Sequence, residues 1–99
     1  MPFLVIGKDH ADGLQRRMEH RSAHLENLRK LKEDGKIVVA AGLLNDEKML
    51  NGSATFFTVS TQEEVEELLK SEPYVIGNVW ETIEIIPCLI PDFLLKQTK

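Results

Sequence analysis

The apolar positions of this chain change period along its length, from strand-like to helical and back. Phe3 to Gly7 is a short run containing Val and Ile, which predicts a first strand. Asp12 opens a capping-box-like Asp-x-x-Gln with Gln15, and the amphipathic stretch behind it runs to Asp34, where Gly35 supplies a C-cap. Ile37 to Ala41 is apolar at successive positions and predicts a second strand. Gly42 through Gly52, with Asn45-Asp46 and Asn51-Gly52, predicts a polar loop. Ala54 to Val59 follows as a third strand. Thr61-x-x-Glu64 is a capping box for a second helix whose inward side is Val65, Leu68 and Leu69 and which Pro73 ends. Val79 to Ile86, closed by Pro87, completes the pattern as a fourth strand. Strand-helix-strand-strand-helix-strand is the order of the ferredoxin-like α+β arrangement, a four-stranded antiparallel sheet with both helices on one face.

The other face of that sheet is expected to be apolar as well. Phe3 and Val5 point one way while Leu4 and Ile6 point the other, and the rings of Phe56 and Phe57 lie on opposite faces. One set of helices covers one face only, so the pattern predicts a homodimer packed sheet to sheet. The competing expectation is a monomer whose second face is covered by the tail Leu89 to Leu95. The chain is expected to be a single domain over residues 1–99, with a core at 1–87 and a packing tail at 88–99.

The first helix carries charge where a core-facing stripe belongs. At about 100° per residue, Leu14, Met18, Leu25, Leu28 and Leu31 mark an apolar arc, and Arg17, Arg21 and His24 fall inside it. Charges on a buried face are costly unless they are paired or line a cavity. The alternatives are a small acid/base or anion-binding pocket, and arginines that snorkel from the rim around a satisfied core histidine.

Composition removes several function classes. Ninety-nine residues with 42% hydrophobic content suit one compact domain, and a chain of this size buries only roughly 65% of its unfolded surface. A net charge of −4 and a pI near 5.3 leave no basic stripe for nucleic acid. Phe3, Phe56 and Phe57 lack the basic setting of an RNA-binding sheet. The longest apolar runs fall far short of a bilayer span, and the N-terminus has no leader pattern, so no membrane association and a cytoplasmic location are expected. Cys88 is the only cysteine, which removes internal disulfides and thiolate metal clusters.

Among candidate chemistries, His24 is the strongest, because imidazole exchanges protons near neutral pH. His20 and His24 have metal-ligand spacing, but no glutamate follows the first histidine and Arg21 opposes a cation, so no metal is expected. His20 is expected to be solvated. Carboxylates that could orient His24 are Asp9, Glu72 and Glu81, and spacing does not choose among them; Glu81 is expected at an edge, facing solvent. Ser22 and Ser53 lack a Gly-x-Ser-x-Gly context, and no phosphate-cradling loop is present. Trp80 is expected in core or dimer packing. Tyr74, at an element end beside Glu72, is a better pocket residue.

Lys8-Asp9, Arg21-Ser22-Ala23-His24-Leu25, Gly35, Ala41-Gly42, Gly52-Ser53, Glu72-Pro73-Tyr74 and Gly77, in this order and spacing, resemble the YciI-like (YCII-related) family over positions 1 to about 87. The resemblance implies a dimeric α+β barrel with a pocket between each subunit's helices and sheet, and a histidine and an aspartate as acid/base pair. The family histidine matches His24, and its Asp-Pro-aromatic motif falls on Glu72-Pro73-Tyr74. Glutamate here adds a methylene, and a displacement of about 1 Å can cost about 10²-fold in rate. Asp9 matches a recurrent acidic position, Arg21 a basic one beside the histidine, and Ser53 a small hydrogen-bonding one. The related barrel superfamily includes muconolactone isomerases and cofactor-independent monooxygenases, an analogy of fold only.

The resulting expectation is a small enzyme without a cofactor, of lyase or isomerase type, acting on a small aromatic or enolisable molecule. His24 would shuttle a proton, Glu72 or Asp9 would orient it, and Arg21 would stabilise developing negative charge. Ser53 and Tyr74 would contact substrate. The alternative is a non-enzymatic dimer that binds a small molecule.

Overall fold

The computed structural model describes residues 1–95. Its elements are β1 (Phe3–Asp9), α1 (Leu14–Glu33), β2 (Ile37–Leu44), β3 (Leu50–Phe57), α2 (Gln62–Leu69), α3 (Pro73–Ile76), β4 (Trp80–Pro87) and α4 (Asp92–Leu95). The strands form one antiparallel sheet in the order β2-β3-β1-β4, the expected α+β ferredoxin-like architecture. Alternation along β1 places Phe3, Val5 and Gly7 on the buried face, opposite Phe57, Thr55 and Ser53 of β3. There they join Leu31 of α1, Val65 and Leu69 of α2, Tyr74 and Trp80 in one core. Gly7 is required by that packing, since a Cβ on it would lie 2.3 Å from the Trp80 ring.

Several local expectations are corrected. Asp12 does not cap α1. Gly13 is the N-cap, with no side-chain bond, while Asp12 pairs with Arg16 at 2.6 Å and Gln15 reaches Glu19. Gly35 does end the helix, at φ 69°, and Lys36 N–H reaches back to the Leu31 carbonyl. Thr61 caps α2, accepting from Glu64 N–H at 3.2 Å. The expected loop over Gly42–Gly52 is largely strand: β2 continues to Leu44 and β3 begins at Leu50. Leu43, Leu44 and Leu50 extend the ladder, and Asn45 Oδ1 closes the turn by accepting from Glu47 and Met49 N–H. Pro73 does not end α2, which stops at Leu69; it occupies the first turn of α3, where its missing N–H costs nothing.

On α1 the buried residues are Arg17, His24 and Leu31, while Met18 and Leu25 of the expected apolar arc are exposed. Seven residues bring a helix back to within about 20° of its starting direction, so the core-facing line is a heptad stripe with two basic residues. His20, expected to be solvated, is half-buried against Gly77, where a Cβ would lie 2.4 Å from its ring.

The opposite face of the sheet carries Leu4, Ile6, Phe56 and Val39, with Val39 54% exposed. Through residue 95 the tail covers this face only in part. Cys88 N–H is bonded to the Pro2 carbonyl, and Leu89, Ile90, Pro91 and Leu94 line a groove beside Val39 and Phe56, with Leu89 and Phe93 largely exposed. Residues 96–99 of the expected tail lie outside the described residues. Among the described residues no helix is long and apolar enough to cross a membrane, and no group of three or more His, Cys, Asp or Glu is placed to hold a metal ion.

Candidate active site

Two side-chain pairs fix α1, one against α3 and one against the sheet. In the first, His24 Nδ1 is hydrogen-bonded to Glu72 Oε1, across 48 residues of sequence. Glu72 reaches it because it is the N-cap of α3: Oε1 also accepts from Tyr74 N–H at 3.2 Å, and Oε2 accepts from Asn27 Nδ2 at 2.7 Å. Both carboxylate oxygens are therefore held, and the imidazole has one fixed orientation. With Nδ1 facing the carboxylate, Nε2 is the free ring nitrogen, with no protein hydrogen bond among the described residues.

The second pair is Arg17 with Asp9 at the end of β1. Arg17 Nε donates to Asp9 Oδ2 at 2.8 Å, and Nη2 donates to Asp9 Oδ1 and Ser53 Oγ, each at 2.9 Å. Both side chains are almost completely buried. Burial works against the Arg17 cation, but the hydrogen bonds and charge of Asp9 outweigh it and hold its pKa above the ordinary arginine value.

Tyr74 joins the two pairs. Its ring stacks on the His24 imidazole with centroids 3.8 Å apart, the Arg17 guanidinium lies 4.6 Å from its centre, and Trp80 meets it edge-on at 5.9 Å. Burial pushes the Tyr74 phenol above its ordinary range, with the charges of Arg17 and Arg21 opposing, so the hydroxyl is protonated at neutral pH.

These groups border a cavity of about 150 Å³ between α1 and the β2–β3 half of the sheet. Its polar wall is Arg17, Arg21, His24, Ser53, Thr55 and Tyr74, and its apolar wall includes Leu25, Leu28, Ala40 and Leu50. Of the residues anticipated from sequence, His24, Arg21, Ser53 and Tyr74 line one cavity. Glu72 stands directly behind His24. Asp9 is corrected as an orienter of the imidazole, because both its oxygens are taken by Arg17. Glu81 faces solvent, as expected. Arg17, named with Arg21 and His24 as a charge of a candidate pocket, stands at its wall; Asn27, four residues before Leu31 on the same side of α1, is a site member that nothing in the sequence singles out.

The YCII-related domain family matches residues 1–89. The chain is 28% identical over 93 residues to protein YciI of Escherichia coli O6:H1 and of Shigella flexneri, covering 88% of this chain and 95% of those proteins. In solved structures it is similar to 5-chloro-2-hydroxyhydroquinone dehydrochlorinase (TftG) of Burkholderia phenoliruptrix in complex with 2,5-dihydroxybenzoquinone. The TM-score is 0.81 at 26% identity, over 94% of this chain and 98% of that one. The four-stranded sheet, the placement of the helices and the family match agree with one another, and the chain belongs to the YCII-related family.

Proposed function

We propose that this chain is an enzyme that moves protons on a small hydroxylated aromatic or enolisable molecule, by lyase- or isomerase-type chemistry, with side chains as its only catalysts. The observation that carries the reading is a buried imidazole whose Nδ1 is fixed by Glu72 and whose Nε2 is free beside a cavity. Neutral His24 would take a proton from a substrate O–H or C–H through Nε2, leaving the electron pair on the substrate as a phenolate or enolate. Glu72 stabilises the imidazolium so formed, and Arg21 and Ser53 stabilise the substrate anion. Returning the proton at a different atom gives isomerisation; expelling an anionic leaving group from the neighbouring carbon gives elimination. Asp9 has a positioning role, through Arg17. Similarity to a dehydrochlorinase of a hydroxylated hydroquinone supports the substrate size and type.

The test is turnover of hydroxylated and chlorinated hydroquinones by the wild type and by His24→Asn. The variant should lose about 10²- to 10⁴-fold in kcat while still binding ligand by calorimetry. A wild type that binds such compounds in this cavity but turns none over would establish the non-enzymatic binder instead.

The same reading takes the molecule as a homodimer in the cytoplasm, packed through the Leu4, Ile6, Phe56 and Val39 face. An apolar face of this kind marks an interface. Sedimentation equilibrium should give twice the monomer mass, and Phe56→Glu should return it to one; a monomeric wild type refutes the assembly.

A further inference from the structure

We propose that Arg17, Arg21 and Ser53 form an anion subsite, so that the cavity selects a single-ring molecule already carrying an ionised ring oxygen over its neutral counterpart. The inference rests on the catalytic reading above for the existence of a substrate, and on separate observations for its charge.

The first is the sign of the lining. Two arginines and a histidine border the cavity, and no carboxylate does. Asp9 and Glu72, the acids bonded to Arg17 and His24, stand behind those residues with all four of their oxygens engaged. Arg21 makes no ion pair among the described residues. At the wall a ligand therefore meets two guanidiniums and an imidazole, with Arg21 the one not paired to an acid and no carboxylate beside them.

The second is the state of Arg17. Its residue is 3% exposed, and Nε and Nη2 are committed to Asp9 and Ser53. The guanidinium also faces Tyr74, whose ring centre is 4.6 Å away and whose hydroxyl is within hydrogen-bonding reach, yet Nη1 is not sealed in, for among the described residues the buried side-chain nitrogen without a partner is Trp80 Nε1. A guanidinium clamped on two nitrogens and open on the third is a donor fixed in advance, which loses little freedom when an oxygen arrives. Asp9 thus aims the guanidinium, and Arg17 and Ser53 would meet the ligand.

The third is size. A cavity of about 150 Å³ is one that takes a benzene-sized ring. Such a ring can lie against Leu28 and Leu50 with its oxygen toward the arginines, leaving another position for His24 Nε2.

Calorimetric titration with 2,5-dihydroxybenzoquinone, whose acidic hydroxyls ionise in neutral water, and with uncharged hydroquinone tests this directly. The anion should bind the wild type more tightly, and its affinity should fall with salt while that of hydroquinone does not. Arg21→Gln should weaken the anion about 10-fold or more and leave hydroquinone unchanged. Because Arg17→Gln alone strands Asp9, the paired variant Asp9→Asn with Arg17→Gln keeps neutral partners in place and should show the same selective loss. His24→Asn should retain the preference for the anion. Anion affinity unchanged in both arginine variants, or equal losses for the two compounds, overturns the subsite. A selective loss without turnover in any variant upholds the subsite while removing the catalytic reading, and a wild type that binds neither compound overturns both.

Discussion

The two acid-base pairs on α1, Arg17 with Asp9 and His24 with Glu72, differ in what they can do. Each joins a basic residue of the helix to an acid at the end or edge of another element, and each is buried against Tyr74. Arg17 and Asp9 have no other arrangement available: the guanidinium keeps its proton, and its two bonds to the carboxylate tie the end of β1 to the first turns of the helix. His24 and Glu72 differ in two ways. The imidazole can gain and lose a proton, and Glu72 keeps two other donors, Asn27 and Tyr74 N–H, whatever the imidazole does. One pair is a fixture, and the other is built to change charge without losing its frame.

The widest separation between them should come from truncation. Arg17→Ala leaves the Asp9 carboxylate buried without a counter-charge and should cost about 3–5 kcal/mol in urea unfolding. His24→Ala leaves Glu72 with its remaining donors and should cost about 1–3 kcal/mol. Equal losses would erase the distinction. The next effect is catalytic: Glu72→Gln keeps an acceptor near Nδ1 but removes the charge that stabilises imidazolium, and should lower kcat about 10²-fold with little change in ligand affinity.

The smallest effect is at Tyr74, the group both pairs share. Its raised pKa means that the unfolded chain releases the phenolic proton first, near the ordinary value of about 10. The stability contributed by the neutral phenol is thus complete below that pH and is lost as pH rises through the higher folded value. Tyr74 is the only tyrosine, so tyrosinate absorbance reports it alone. Its midpoint should lie above that of free tyrosine, and Arg21→Gln, which removes an opposing charge, should move it further up.

The order of elements and the anomaly on α1 were legible in the sequence because both follow from period. The partners were not. Glu72 lies 48 residues from His24, and its reach depends on Pro73 starting a one-turn helix, a role the sequence suggested only as a stop. Arg17 fell in the right arc but could not be told from a snorkelling arginine until Asp9 and Ser53 were seen beneath it. At β4, simple alternation groups Glu81 with Ile83 and Ile85. The irregularity between Lys8 and Asp9 breaks the phase, so Trp80 turns inward and Glu81 outward. The hairpin reads as a loop from sequence because its glycines and asparagines signal a turn more strongly than the leucines between them signal a ladder.

The strand order also sets a timetable. β1, the first strand made, lies between β3 and β4, and Phe3 ends up beside Pro87. During synthesis β1 and α1 emerge with Asp9, Arg17 and His24 already in place along the chain, but both edges of β1 stay unpaired until distant segments arrive. Pairings between chain ends are slow to close. The arginine clamp can form once β3 supplies Ser53, whereas the imidazole waits for Glu72 and the sheet for β4. The partners of Arg17 thus lie within the first 53 residues, whereas the carboxylate that orients His24 comes 48 residues after it.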